Sequence, residues 1–127
     1  MGLRPALRFL PAVVWSGCIF YSSHQPANGI FPDLLHVDKL AHFLVYWFLC
    51  WLICLGFGSR SLVILGYAFV ITVTFGAIDE LHQSFVPLRD PSVLDWFADC
   101  AGAFVAVGTR YRGSLKVKCN REKKNDS

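Results

Sequence analysis

The feature that most constrains this chain is the arrangement of its apolar residues in four long blocks. The blocks cover residues 3–21, 38–57, 61–82 and 93–108. A bilayer core of about 30 Å needs a helix of about 20 largely apolar residues. Because that core holds no water, each block must satisfy its own backbone hydrogen bonds, which favours helix. The sequence therefore predicts an all-α integral membrane protein with a bundle of four transmembrane helices.

Composition supports this fold class and indicates a single domain. The chain is 54% hydrophobic and 17% charged, too little polar surface to cover a soluble core in 127 residues. We expect residues 1–112 to form the membrane domain and residues 113–127 a basic, disordered tail. Pro11 is expected to kink the first helix. The first block also fits a removable signal peptide, although Trp15 stands where a lipoprotein cleavage site takes an aliphatic residue.

The basic residues divide unevenly between the two sides of the predicted bundle. Of the 12 Lys and Arg, all except Lys39 and Arg89 lie at the very start of the first block, after the last one or at Arg60 in the short turn between the second and third. The positive-inside rule places these regions in the cytoplasm. The Pro-rich connection 84–92 then faces outward, and the predicted location is the inner cell membrane, crossed several times.

Polar residues occupy one narrow face at the outer end of each of the last three blocks. Asp38, His42 and Tyr46 share an arc of about 80° on the second block. Asp79 and Gln83 share about 60° on the third, as do Asp95 and Asp99 on the fourth. If these faces turn toward one another, one outward-opening pocket forms below Arg89. The predicted lining is His42, Asp79, Glu80, Gln83, Asp95 and Asp99.

Five carboxylates in this cluster cannot all stay ionised at close range without partners. They must pair with cations, bind a metal or hold a proton, and charged groups in a membrane are candidates for function by default. The predicted ligand-binding residues are Asp38, Lys39, His42, Tyr46, Gln83, Arg89, Asp95 and Asp99. We expect no cofactor. The alternative is a hard metal ion held by Asp79, Glu80, Asp95 and Asp99.

A purely structural role for the cluster is the competing interpretation. Polar side chains can join transmembrane helices through hydrogen bonds. Asp38 is then a charge at the helix start, favoured by the helix dipole. Lys39 is an interface anchor, and Asp79 and Asp95 clamp the loop through Arg89.

Three segments of the chain resemble the VanZ-like family of small membrane proteins. Residues 38–46 follow the pattern DKxxHFxxY, residues 79–89 follow DExxQxFxPxR, and residues 95–102 follow DxxxNxxG with Asp99 in place of Asn. The resemblance extends over nearly the whole chain. It implies a cell-envelope protein, and the family takes its name from a protein linked to reduced susceptibility to the glycopeptide teicoplanin.

Two kinds of function fit these residues. In the first, the pocket binds an envelope lipid headgroup, an amphiphilic glycopeptide or a lipid-linked envelope precursor, with Arg89 and Lys39 on phosphate or carboxylate groups. In the second, the protein is a hydrolase or transferase of an envelope lipid. His42 is then the general base, and Asp79 or Glu80 orients it or acts as acid. Membrane lipids are the expected partners, a homo-oligomer is compatible with four spans, and no nucleic acid is expected.

Overall fold

The computed structural model describes residues 5–25 and 37–125, and this part of the chain is helical without strands. A 3₁₀-helix at Pro5–Phe9 leads into α1, Leu10–His24. The remaining helices are α2 at Val37–Phe57, α3 at Leu62–Gln83 and α4 at Val93–Asn125. The predicted all-α fold class with four helices is confirmed. The predicted second and third blocks agree with α2 and α3 to within one residue at each end.

Helix α2 is the centre of the bundle, because it contacts α1, α3, α4 and the 3₁₀-helix. Its most extensive interface is with α4, where Gly102 lies directly against the backbone of Phe43 and Trp47. Ala103 and Ala106 of α4 are also fully buried. Small residues allow helices to approach closely where no water drives them together. This close contact fixes the position of α4 along α2.

Two tryptophans attach the outer helices of the bundle. The indole Nε1 of Trp15 in α1 donates to the backbone oxygen of Val45 at 3.1 Å. Trp96 in α4 likewise donates to the backbone oxygen of Val73 at 3.0 Å. An indole N–H that is removed from water needs such an acceptor. Each tryptophan therefore combines a large apolar contact with one directed bond between helices.

The surface of the bundle is apolar in a way that suits lipid. Large hydrophobic side chains are exposed on every helix, among them Val13, Leu44, Ile78 and Phe104. In water, an exposed apolar surface of this kind promotes association between molecules. Within the described residues, α2 and α3 have the length and apolar composition needed to cross a membrane. Helix α1 has 15 residues, and α4 changes from apolar to basic along its length.

Two local predictions differ from the structure. Pro11 lies in the first turn of α1, where its missing N–H has no intrahelical partner to lose, so it does not kink the middle of a helix. The fourth helix does not end near residue 108, and residues 113–125 of the expected disordered tail continue α4. Extending an existing helix avoids the cost of nucleation, and Lys, Arg and Glu are good helix formers.

A methyl group at Gly102 tests the close approach of α2 and α4. Gly102→Ala places a Cβ against the backbone oxygen of Phe43, and we expect a loss of about 1–3 kcal/mol in the free energy of unfolding. The matched control is Gly108→Ala in the same helix, where an added Cβ meets nothing within 4 Å. Unfolding followed by circular dichroism in detergent micelles measures both. Equal stability of the two variants would contradict the packing described.

Candidate functional site

The polar side chains meet at one end of the bundle, which we call the polar end. It is formed by the C-terminal ends of α1 and α3 and the N-terminal ends of α2 and α4. Asp79, Asp95 and Asp99 are buried there. Because successive helices run in opposite directions, their charged ends fall on the same side. The structure thus brings together side chains up to 76 positions apart in the sequence, from Ser23 to Asp99.

Asp79 is the centre of the first group of contacts. Asp79 is only 2% exposed. The Oδ2 atom accepts hydrogen bonds from Ser23 Oγ at 2.8 Å, Tyr46 OH at 3.1 Å and Gln83 Nε2 at 3.2 Å. Oδ1 has no hydrogen-bond partner among the described residues. One carboxylate therefore connects α1, α2 and α3 and keeps an unused acceptor.

His42 is the centre of a second group, between α2, α3 and α4. Its Nδ1 lies 3.0 Å from Asp99 Oδ1 and 3.9 Å from Glu80 Oε1. The other Glu80 oxygen, Oε2, accepts from the backbone N–H of Ser92 at 3.0 Å. Of the two acids predicted beside His42, Asp79 or Glu80, it is Glu80 that lies near the imidazole, and Asp99 is the carboxylate that hydrogen-bonds to it.

Lys39 forms an ion pair that sequence reasoning did not assign. Its Nζ lies 2.7 Å from Asp95 Oδ1, and this contact connects α2 to α4. The Asp95 side chain is buried while Lys39 is partly exposed. Asp38, next to it in the first turn of α2, is exposed. The ion pair gives Lys39 a structural contact, in contrast to the predicted role as a free interface anchor.

Arg89 lies on the connection between α3 and α4 and reaches across to α1. Its guanidinium donates to the backbone oxygens of Ser22 and Gln25, both at 3.0 Å. These carbonyls lie at the end of α1, where the last carbonyls lack the usual intrahelical donors, although Ser22 O also accepts from the Gln25 N–H at 3.2 Å. Leu88 has φ of 63°, a left-handed conformation that costs a branched residue about 1–2 kcal/mol. The predicted clamp of Arg89 on Asp79 and Asp95 is therefore replaced by a clamp on α1.

A cavity of about 310 Å³ opens between α1, α2 and α3 at the polar end. Its polar lining comes from all three helices and from Arg89, and consists of Ser22, Ser23, Asp38, His42, Tyr46, Asp79, Gln83 and Arg89. Of the predicted lining residues, His42, Asp79 and Gln83 face this cavity. Glu80, Asp95 and Asp99 do not line this cavity. Asp95 and Asp99 belong to α4, which packs closely against α2. Glu80 on α3 is directed at the start of α4, where it accepts from the backbone N–H of Ser92.

Sequence reasoning missed the contribution of α1 to this site. Ser23 is buried and donates to Asp79, and Trp15 and Ser22 also line the cavity. The available signal was the Ser22-Ser23 pair at the end of an apolar block. Two small hydroxyls there cost little free energy in a membrane interface, so their presence in the sequence does not by itself indicate a site.

The charges of the polar end are not balanced by its lysine and arginine. Lys39 pairs with Asp95, and Arg89 is directed at backbone oxygens. Within the described residues, Asp79, Glu80 and Asp99 therefore have no ion pair to a lysine or arginine. Two sets of three side chains bring ligand atoms within 4.8 Å of one another, Asp38–His42–Asp95 and His42–Glu80–Asp99. The predicted four-carboxylate metal set is not one of them.

Four packed helices with an apolar surface and a buried polar end define a small helical membrane protein. A family model described as VanZ/LLP1 matches residues 8–111, which include all three motifs. The chain belongs to the VanZ/LLP1 family, and the resemblance in the motifs is confirmed. No curated protein and no solved structure gives a significant match. The family membership makes this a VanZ-like envelope protein in the general sense.

Removing the Asp79 carboxylate tests how much of the bundle depends on it. Asp79→Ala leaves donors on Ser23, Tyr46 and Gln83 without their acceptor. We expect a loss of about 2–4 kcal/mol in the free energy of unfolding, since each stranded buried donor is costly. Asp90→Ala, on the exposed connection, is the matched control and should change stability little. Denaturation in mixed micelles measures both. A neutral Asp79→Ala would show that the hydrogen bonds carry no net stability.

Proposed function

We propose that this protein binds the polar headgroup of an envelope lipid in the cavity at the polar end. One observation gives this proposal its main support. A cavity of about 310 Å³ contains Asp79, a buried carboxylate to which the described residues supply three donors on one oxygen and none on the other. Ligand sites are typically concave and carry a few convergent polar groups, and this volume is at the lower end of their range.

The polar groups favour a headgroup that carries an amine or hydroxyls. Asp79 Oδ1 has no donor in the described part of the chain, and Asp38 adds a second carboxylate at the exposed edge. Hydrogen bonds that include an ionised partner are the stronger kind. Arg89 can contact a phosphate because its guanidinium has five N–H donors and the α1 carbonyls occupy two nitrogens. Lys39 is less available because it holds Asp95.

The small volume favours a lipid headgroup over a whole glycopeptide. An amphiphilic glycopeptide such as teicoplanin, or a lipid-linked precursor, would insert only one amine or sugar group. An effect on glycopeptide susceptibility would then follow from changes in the envelope lipids that the protein holds. The acids in the cavity account for an amine, and the apolar outer surface of α1 and α3 accommodates acyl chains.

The proposed topology places the polar end outside the inner membrane, with several membrane passes. The basic residues at the opposite end of the bundle support this orientation, because cytoplasmic segments are enriched in Lys and Arg. The connection that contains Arg89 would then face outward, and the basic C-terminal half of α4 would face the cytoplasm.

Cysteine labelling in intact cells tests this orientation. We expect a membrane-impermeant maleimide to label Asp90→Cys without permeabilisation, because this exposed position lies on the outer connection. The natural Cys119, exposed on the basic part of α4, is an internal control and should react only after the membrane is opened. The reverse pattern would place the cavity in the cytoplasm and exclude the proposed ligand side.

Lipid retention tests the proposed binding. The protein is purified from bilayers with equal amounts of phosphatidylethanolamine and phosphatidylglycerol, and the lipids that stay bound are counted by native mass spectrometry. We expect a preference for the amine-bearing lipid that falls about tenfold in Asp79→Asn, because a hydrogen bond to a charged group contributes about 1.5–3 kcal/mol. Asp90→Asn, which removes an acid outside the cavity, should keep the preference.

Folding of each variant is checked by helical circular dichroism and thermal unfolding. A bound-lipid ratio equal to that of the surrounding bilayer, in the folded wild-type protein, would contradict headgroup binding. The purely structural interpretation of the polar cluster would then be the one that fits.

A second candidate function has one observation in its favour. His42 is hydrogen-bonded to Asp99 and lies near Glu80, an arrangement typical of an oriented general base. A hydroxyl nucleophile is less evident, because Ser84 donates to the backbone of Leu81 and Ser23 donates to Asp79. Headgroup release from the same lipid mixture with added divalent metal, lost in Glu80→Gln while lipid binding remains, would favour a lipid-modifying enzyme.

A further inference from the structure

His42, Glu80 and Asp99 form a compact group beside the cavity, with only His42 shared between the two. The imidazole Nδ1 lies 3.0 Å from Asp99 and 3.9 Å from Glu80. Two ligands of one zinc ion are about 3–4 Å apart, because each metal–ligand bond is about 2 Å long. One ligand atom from each residue lies within 4.8 Å of the other two. The two distances from the imidazole therefore match those between ligands that share one ion.

Two oxygen atoms of this group are buried without a hydrogen-bond partner in the described part of the chain. They are Glu80 Oε1 and Asp99 Oδ2. The Asp99 side chain is only 1% exposed, so water does not compensate its second oxygen. An unsatisfied buried carboxylate oxygen is costly. A metal cation would satisfy both oxygens at once.

The charge of the group matches a divalent ion. Lys39 is committed to Asp95, and Arg89 is committed to the end of α1. Among the described residues this leaves His42 as the basic side chain within 4 Å of Glu80 and Asp99. Two carboxylates and a neutral imidazole carry two negative charges. A divalent cation brings the total to zero, which is the favourable state for groups removed from water.

We propose that His42, Glu80 and Asp99 bind one divalent transition-metal ion, with zinc as the best match. Imidazole nitrogen together with carboxylate oxygen suits zinc and similar ions, whereas calcium and magnesium prefer oxygen ligands alone. Three protein ligands leave a coordination position open, as in catalytic zinc sites. The inference does not depend on headgroup binding in the cavity.

The competing set of three, Asp38, His42 and Asp95, is less suitable. Asp95 already holds the Lys39 ammonium at 2.7 Å, and this positive charge would repel a metal ion. Asp38 is exposed and loses little by facing water. Both sets use His42, so a variant of His42 alone does not distinguish them. Variants of Glu80 and Asp38 do.

Zinc binding by the full chain in micelles tests the proposal. After removal of metals with a chelator, zinc is titrated by calorimetry and the metal content is measured by mass spectrometry. We expect one zinc per chain for the wild type. His42→Gln and Glu80→Gln should weaken binding at least about tenfold, since even outer-shell changes at metal sites have such effects. Asp38→Asn and the loop control Asp90→Asn should retain it.

X-ray absorption of the zinc-loaded wild type gives an answer that needs no variant. We expect nitrogen and oxygen ligands with one imidazole and no sulfur. Absence of stoichiometric zinc in the folded wild type would overturn the proposal. Sulfur or two imidazoles around the ion would also overturn it, as would loss of zinc in Asp38→Asn with binding retained in Glu80→Gln.

Discussion

The burial of carboxylates between apolar helices is the constraint on which the rest of this structure depends. Removing a charged group from water is expensive unless donors or counter-charges replace the water. Asp79 uses hydroxyl and amide donors, Asp95 uses an ammonium, and Asp99 uses an imidazole. Each solution reaches across to another helix. The acids of the polar end therefore hold the bundle together, and both proposals rest on their remaining oxygens.

The packing on the two sides of α2 explains where the cavity lies. On the α4 side, Gly102 lets the two backbones approach closely, and the cavity does not extend between these helices. On the α1 side, Trp15 and Tyr46 hold the helices further apart, and the 310 Å³ cavity lies between them. Arg89 then fixes the end of α1 from the opposite connection. Close packing of α4 on one side of α2 is thus combined with an open, polar cavity on the α1 side.

His42 connects the two parts of the polar end. It lines the cavity and also contacts the acids between α2, α3 and α4. The headgroup-binding proposal uses the first environment, and the metal proposal uses the second. Neither requires the other, yet an imidazole shared by both offers a physical route by which occupancy of one could change the other.

The sequence by itself determined the helical fold class, the bounds of α2 and α3 and the end of the bundle where charge collects. Continuous apolar length and a period of 3.6 residues fix these features locally. The three motifs also indicated the family. The sequence did not determine which acid meets which donor, because periodicity defines the face of a helix and not the distance to a neighbour. Only the tertiary structure separated Asp79 in the cavity from Asp99 in the helix interface. It did so because Gly102 lets α4 approach α2 while α1, with its uncharged serines, closes the cavity from the other side.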